Sequence, residues 1–255
     1  MKLTFLGTGT STGVPVIRCD CPTCRSLDSH DKRLRSSVMI TANGKNILID
    51  CGPDFRQQML AIGSPELEAA LLTHSHYDHV GGIDDLRPYC ALGDSFPLYC
   101  RPDVAQDLRE RVPYCFAEVP YPGVPALTIT EISSKPFSVS DLEIVPLEVM
   151  HHSLPILGFK IGNLAYITDA KTIGDNTLEI IRGIDTLVIN ALRFKEHHSH
   201  MSLPQALNII QCIKPRIAYI THMSHDIGLA AETSQHLPEG VKLAHDGLTI
   251  HIPTN

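Results

Sequence analysis

Three histidines and one aspartate fall within six consecutive residues of the stretch THSHYDHVGG, and this cluster constrains the chain more than any other feature. The four residues are His74, His76, Asp78 and His79. Imidazole and carboxylate groups together suit zinc, manganese or iron, and the two glycines that follow permit close backbone approach. A solvated polar loop is the alternative interpretation, but four ligand-type side chains in so short a stretch favour a metal site.

Three other predicted strand ends also carry ligand-type residues. His151 and His152 follow a strand in VMHHS, Asp169 ends the run AYITD, and His222 ends the run YITH. Loops at strand ends are held by a rigid scaffold, which suits the placement of ligands. Because one short cluster rarely completes a metal site, we expect these strand ends to supply the remaining ligands.

Short β-rich runs bounded by Gly, Pro, Asn or Asp recur along the chain, which is typical of strands. They are KLTFL, SVMIT, KNILID, EAALLT, LEIVPLEVM, LGFKIG, LAYITD, DTLVINA, RIAYIT and LTIHI. Helices are predicted at 53–62, at 103–112 and after the N-cap Ser202, the last with an apolar face of Ala206, Ile209, Ile210 and Ile213. Early strands are mostly neighbours and later strands alternate with helices. This order predicts an α/β (α+β) chain with two sheets and outer helices, in one domain over 1–255.

The stretch THSHYDHVGG resembles the HxHxDH signature of the metallo-β-lactamase-fold hydrolases. Together with FLGTGTSTGVP, CDCPTC, DKRLRSS, LPILGFKIG, AYITD and HMSH, it is similar to the bacterial subfamily that includes the phosphoribosyl cyclic phosphodiesterase of phosphonate breakdown. The resemblance implies a four-layer αββα sandwich with the metal site at one edge of the two sheets. It also puts Asp50, in ILIDCG, where the superfamily keeps an aspartate just outside the ligand set.

The resemblance further implies two active-site divalent metals, zinc or manganese, with a bridging water or hydroxide as nucleophile. His74, His76 and His151 would hold the first metal, Asp78, His79 and His222 the second, and Asp169 would bridge the pair. Counting along the strand from Pro146 selects His151 as the ligand. Counting back from Gly158 favours His152 instead, but strands tolerate insertions poorly and the first count is preferred.

Phosphodiester cleavage expels an alkoxide, and histidine is the common proton donor near neutral pH. The stretch FKEHHSHMSL offers His197, His198 and His200, and His200 matches the position of the family's donor. We therefore predict His200 and Asp78 as catalytic residues, while a solvated loop accounts for His197 and His198.

The stretch RCDCPTC contains Cys19, Cys21 and Cys24, a compact set of thiols that needs a fourth ligand to form a structural zinc site. The resemblance supplies His225, three residues after His222. Unrelated buried thiols are the alternative. The other five cysteines lie among apolar or strand residues and are predicted to pack in the core.

The formal net charge of −7 disfavours binding to long nucleic acid by charge alone. No secretory signal is visible in MKLTFLGTGT, and no apolar run is long enough to span a membrane. We therefore expect a cytoplasmic enzyme, with a homodimer as a further expectation, that does not engage long nucleic acid or membranes.

The predicted activity is hydrolysis of a small phosphodiester, for which a cyclic ribose phosphate is the example that the resemblance provides. A tRNA 3′-processing endoribonuclease shares HxHxDH but carries a protruding arm, and no insertion rich in glycine and basic residues is visible. A glyoxalase-type thioesterase is a third reading, against which the cysteine–histidine set argues. A non-catalytic scaffold would be expected to lose ligands, whereas every expected position here is filled.

Overall fold

Two β-sheets face each other and helices cover both outer faces, as the sandwich prediction requires. The structure is a computed structural model that describes residues 1–93, 95–117 and 122–253. The predicted domain over 1–255 includes residues 94, 118–121 and 254–255, which lie outside the described residues.

The strands of the described chain are short except for the central hairpin of the second sheet. They are β1 (Lys2–Gly7), β2 (Ser37–Ala42), β3 (Lys45–Ile49), β4 (Ala69–Leu71), β5 (Phe96–Cys100), β6 (Leu127–Glu131), β7 (Phe137–Val139), β8 (Leu142–His151), β9 (Leu154–Ile161), β10 (Leu164–Tyr166), β11 (Thr172–Ile173), β12 (Thr186–Asn190), β13 (Ile217–Thr221), β14 (Val241–Leu243) and β15 (Thr249–His251).

The helices include the three that the sequence predicts. They are α1 (Pro22–Arg25), α2 (Phe55–Ala61), α3 (Tyr77–Val80), α4 (Pro102–Arg111), α5 (Asp175–Ile181), α6 (Leu203–Ile213) and α7 (Ala230–Ser234), with 3₁₀ segments at Ser29–Asp31, Ile83–Gly93, Pro113–Phe116 and His225–Ile227. Ser202 is the N-cap of α6, and its amide donates to Gln205 Oε1 at 3.0 Å to close a capping box.

Each sheet begins antiparallel and continues parallel. The first has the order β15-β1-β2-β3-β4-β5-β6, and the second has β11-β8-β9-β10-β12-β13-β14 with β7 paired to β8. The parallel parts run from β3 to β6 and from β10 to β14. Parallel neighbours need crossover connections, and α2, α4, α6 and α7 lie in those crossovers.

The apolar core lies in three layers that follow from this arrangement. Leu3, Phe5 and Phe159 are among the residues buried between the sheets. On the outer face of the first sheet α2 buries Phe55, and on the second α6 buries Ala206 with its apolar stripe. Burying a large apolar side chain such as Phe5, Phe55 or Phe159 contributes about 1.5–3 kcal/mol. The three layers therefore hold the strands, and with them the strand ends, in place.

β1 links two distant parts of the chain. It pairs with β15, and the Met1 amino group donates to Ile252 O at 3.3 Å. Beyond its other end, Thr10 N donates to Met223 O at 3.1 Å and Met223 N donates to Thr8 O at 2.9 Å. The described residues contain no helix with the length and apolar character that crossing a membrane would require.

Candidate metal centre and active site

The predicted ligands lie after the carboxyl ends of four strands. His74 and His76 follow β4, and α3 carries Asp78 and His79. His151 is the last residue of β8, Asp169 follows β10, and His222 directly follows β13. The two sheets meet at this edge, where Leu157 N donates to Thr73 O at 3.1 Å.

Asp169 lies between two groups of histidines. Its Oδ1 is 3.2 Å from His79 Nε2 and 2.8 Å from His222 Nε2. Its Oδ2 is 3.8 Å from His74 Nε2 and 4.0 Å from His200 Nδ1. The two oxygens of one carboxylate therefore face different sets of imidazoles.

The ligand-type atoms form overlapping groups around this carboxylate. One group joins Asp78, His79, Asp169 and His222, a second joins His74, His76 and Asp169, and a third joins His151, Asp169 and His200. Within each group the ligand atoms lie within 4.8 Å of one another. The structure thus brings together every predicted active-site ligand, and it adds His200 to the same centre.

Several buried atoms of the centre have no hydrogen-bond partner. They are His74 Nε2, Asp78 Oδ2, His79 Nε2, His200 Nδ1 and both ring nitrogens of His222. A buried polar atom without a partner costs about 1–3 kcal/mol, so a protein rarely collects several at one point. Divalent metals bound by imidazole and carboxylate would satisfy His74 Nε2, His79 Nε2, Asp78 Oδ2 and one nitrogen of His222, and these residues fit such ions.

The turn after β8 separates His151 from His152. His151 is buried and its Nδ1 donates to Asp169 O at 2.8 Å, which leaves Nε2 for a ligand bond. His152 has a φ of 55° and is exposed, and its ring faces His198 with centroids 6.1 Å apart. The geometry favours His151 as the ligand.

Asp50 lies just outside the ligand set and holds one of its histidines in place, as the resemblance implies. His79 Nδ1 donates to Asp50 Oδ2 at 2.7 Å, and Thr73 N donates to Asp50 Oδ1 at 2.8 Å. The Asp50 loop also approaches α3 closely, because a Cβ on Gly82 would lie 2.1 Å from Gly52 O. Glycine at 82 is therefore required for this contact.

Three residues of the centre have left-handed backbone conformations. The φ angles are 64° at Asp50, 56° at Asp169 and 54° at His222. For residues other than glycine such conformations cost about 1–3 kcal/mol and cluster at functional sites. They turn the chain sharply at the strand end and direct the side chain into the centre.

The electrostatics of the centre favour ionised carboxylates. Burial works to raise the pKa of Asp169, but the charges of His222 and His79 outweigh it and hold the pKa well below the usual range. Burial lowers the pKa of His74 well below its ordinary value, so this imidazole is neutral. Anionic carboxylate and neutral imidazole are the forms that bind metals.

His222 differs from His74 in its protonation. Burial works to lower its pKa, but the charge of Asp169 and the close approach of the Asp169 and Asp78 carboxylates raise the pKa to about 9. Without a cation this imidazole therefore carries a proton, which a metal would replace.

His200 lies beside the ligands in the loop before α6. Its ring centroid is 4.7 Å from that of His151 and 5.0 Å from that of His222. Burial, with the nearby His222 charge, lowers the pKa of His200 to about 3, so the free protein holds a neutral imidazole. His200 would therefore have to gain a proton before it could donate one.

The cysteine cluster is a separate site built around one nitrogen. Cys19 Sγ, Cys21 Sγ and Cys24 Sγ lie 3.2, 3.4 and 3.5 Å from His225 Nδ1. Cys21 is the N-cap of α1, and Val16 N donates to Cys24 Sγ at 3.3 Å. Three sulfur atoms and one nitrogen at these distances fit a tetrahedral zinc ion. Of the other cysteines, Cys212 is exposed and does not pack in the core as predicted.

Two residues that support the site were not selected from the sequence. Thr73 donates to Asp50 and its Oγ1 lies 3.0 Å from His74 Nδ1. Lys171 reaches the loop of His200. Position in the chain was the only available signal, since Thr73 directly precedes His74 and Lys171 follows Asp169 by two residues.

The family follows from these observations and from a sequence match. A family model described as "Beta-lactamase superfamily domain" matches residues 45–223, which is more than half of the chain. The chain belongs to this superfamily, and the sandwich with its histidine and aspartate centre makes it a metallo-β-lactamase-fold hydrolase.

Two solved structures are similar to this chain over nearly its whole length. A new diphosphatase from the PhnP family has a TM-score of 0.92 and 39% identity, covering 98% of this chain and 96% of that one. Zn²⁺-bound PqqB from Methylobacterium extorquens has a TM-score of 0.80 and 21% identity, covering 99% of this chain and 100% of its own. The second likeness shows the fold alone.

A curated relative with high identity is a much longer protein. The octanoyltransferase of Porphyromonas gingivalis is 46% identical over 251 residues, covering 97% of this chain but 51% of the relative. The chain therefore spans about half the length of this relative. A ribonuclease Z from Bradyrhizobium is 42% identical over 66 residues, 25% of this chain and 22% of the relative.

Proposed function

We propose that the chain is a dinuclear metal-dependent phosphodiesterase that acts on a small phosphodiester, of which a cyclic ribose phosphate is one example. The observation that carries the proposal is Asp169, whose two oxygens face different groups of histidines. This arrangement suits a carboxylate shared by two metals. The likeness to a diphosphatase of the PhnP family supports phosphorus chemistry over lactam or thioester chemistry.

Two divalent metals, zinc or manganese, are proposed for this centre. His74, His76 and His151 would hold one, Asp78, His79 and His222 the other, and Asp169 both. Such a pair supplies Lewis acidity that activates water and neutralises charge on a phosphate. The chain's own contribution is to orient the ligands, since Asp50 fixes the ring of His79 and the Asp169 carbonyl fixes that of His151.

His200 is proposed to donate a proton to the leaving group. Its ring lies beside those of His151 and His222, and its Nδ1 is 4.0 Å from Asp169 Oδ2, so the imidazole is next to the proposed metal ligands without being assigned to either metal. Asp78 is proposed to act in catalysis through the metal that it helps to hold. Neither role requires His197 or His198.

A cavity beside His200 supports a substrate of limited size. It has a volume of about 310 Å³, and its lining includes Thr10, Ser11, Thr12, Arg193, His200 and His225. A leaving group in contact with His200 would extend into this space. The hydroxyl-bearing walls and the Arg193 guanidinium suit a polar group, and the volume suits a small molecule.

A structural zinc ion is proposed for Cys19, Cys21, Cys24 and His225. The four ligands form a complete set, which leaves no open position for a substrate. This ion would hold the loop before α1 against the turn that follows His222.

A tRNA 3′-processing endoribonuclease is the second candidate, and the ribonuclease Z match is the observation that favours it. That match covers only a quarter of the chain, and the net charge of −7 does not favour a long RNA. The cysteine–histidine cluster argues against a glyoxalase-type thioesterase. Acyl transfer is not carried over from the Porphyromonas relative, because half of that protein lies outside the matched region.

The test is a substrate panel with purified protein whose metal content has been measured. We expect cyclic and linear small phosphodiesters to be hydrolysed, with kcat/KM far above that for a precursor tRNA or a thioester. Preferred cleavage of the precursor tRNA would overturn the proposal in favour of the second candidate. The cytoplasmic location and a homodimer stay predictions for fractionation and sedimentation experiments.

A further inference from the structure

Lys171 connects the Asp169 turn to the loop that carries His200. Its Nζ donates to His197 O at 2.7 Å and to Gln205 Oε1 at 3.2 Å, and it lies 3.5 Å from His200 O. The side chain is half-buried. One ammonium group therefore contacts both ends of the His197–His200 segment and the start of α6.

These contacts use the full donor capacity of the side chain. A lysine ammonium has three N–H donors, and three acceptors lie around this one. A charged donor makes stronger hydrogen bonds than a neutral one, so the carbonyls of the loop are held firmly. The geometry does not suit binding of a substrate phosphate, because no donor of Lys171 is left for it.

The backbone around Lys171 is itself fixed. Lys171 N donates to Met150 O at 2.7 Å, and Met201 N donates to Ala170 O at 3.0 Å. Gln205 closes the capping box at Ser202, so the third acceptor is also fixed in place. By contrast, residues 191–202 between β12 and α6 contain no regular element. The lysine thus joins an irregular loop to two rigid parts of the molecule.

We propose that Lys171 is a positioning residue that holds the His200 imidazole in place for proton donation. The inference rests on the proposed function, since it assumes that His200 acts on the leaving group. Lys171 acts through His200 and does not touch the substrate. Its loss should therefore harm only those reactions in which a proton must be delivered.

The kinetic test compares two leaving groups. Lys171→Met keeps the aliphatic stem and removes the donors. We expect kcat to fall roughly 10- to 100-fold for a phosphodiester with an alkyl leaving group, and less than about threefold for a nitrophenyl ester. The double variant with His200→Ala should be no slower than His200→Ala alone. Lys195→Met, an exposed lysine on the same loop, is the matched control and should match the wild type.

A structural measurement separates this inference from the proposed function. Hydrogen exchange over residues 196–203 should accelerate in Lys171→Met while active-site metal content stays constant. Unchanged exchange would overturn the positioning role, as would equal losses on both substrates accompanied by loss of metal. If His200→Ala shows no leaving-group dependence, the donor role in the proposed function fails. The exchange data then still decide whether Lys171 holds the loop.

Discussion

The Asp169 centre and the cysteine cluster are both built from distant segments, yet they differ in closure. The cysteine cluster has four ligand atoms around one point and is partly exposed. The Asp169 centre has more ligand-type residues than one ion needs, and most of them are buried. A complete set of four ligands suits a structural ion. A centre that has more ligand-type residues than one ion needs, and a cavity beside it, suits catalysis.

The two sites also differ in the chemistry of their ligands. Thiolates bind zinc strongly, and a site made of them contributes directly to folding. The carboxylates and imidazoles of the centre suit exchangeable zinc or manganese. His222 and His225 belong to different sites but lie on one turn, where Met223 bonds to the loop after β1. Substitutions in the Asp169 centre should therefore affect mainly catalysis, and substitutions in the cysteine cluster should affect mainly stability.

The largest expected effect is the loss of catalysis when the Asp169 centre is changed. Asp169→Ala should lower kcat by at least about 10⁴-fold and reduce bound active-site metal, because no other carboxylate among the described residues reaches both groups of histidines. Turnover and metal content measured together make the test, with the exposed Asp175→Ala as control. Normal turnover with two metals bound would contradict the dinuclear assignment.

His200 should show a smaller and substrate-dependent effect within the same centre. His200→Ala should cost about 10²–10⁴-fold in kcat with an alkyl or ribose leaving group and far less with a nitrophenyl group. The difference arises because a good leaving group departs without a proton. Parallel assays of both substrates provide the measurement, and equal losses would assign His200 to substrate positioning or metal support.

The cysteine cluster should respond in stability. Cys21→Ser should lower zinc content by about one equivalent and the melting temperature by roughly 5–10 °C. Cys212→Ser, which changes an exposed thiol on α6, is the matched control and should change neither. Metal analysis with thermal unfolding tests this, and an unchanged zinc content would rule out the assignment of the four ligands.

The smallest effect concerns the cavity that lies between the two sites. Arg193 lines it and is 3.3 Å from Asp226, whereas Lys195 on the same loop is exposed. Arg193→Met should raise KM for a small phosphodiester roughly five- to tenfold with little change in kcat, since one charged hydrogen bond is lost. Lys195→Met should leave KM unchanged, and similar increases for both variants would point to general charge attraction instead.

The candidate ligands could be selected from the sequence because their signal is local. The stretch from His74 to His79 is short, and each further ligand directly follows an apolar run. The strands β5, β6, β7, β11 and β14 were not predicted, because most of them are short or interrupted. Pro97 interrupts β5, which weakens a strand pattern, and β14 has only three residues.

Long-range contacts could not be predicted from the sequence. Lys171 bonds to residues 26 and 34 positions away, and no local pattern encodes such a contact. The choice between His151 and His152 depends on a backbone turn with positive φ at His152, which adjacent identical residues cannot reveal. The fold class followed from element order, whereas these details follow from packing.

The pairing of β1 with β15 bears on how this unit can be combined with others. It brings Met1 and Ile252 together at one end of the first sheet, while the loops beyond the other end of β1 contact Met223 beside His222. Six strand residues separate these ends, a distance of roughly 20 Å. A second protein joined next to Met1 or Ile252 would therefore attach away from the candidate metal centre. This placement would leave the candidate metal centre open when another protein is attached at that end of the sheet.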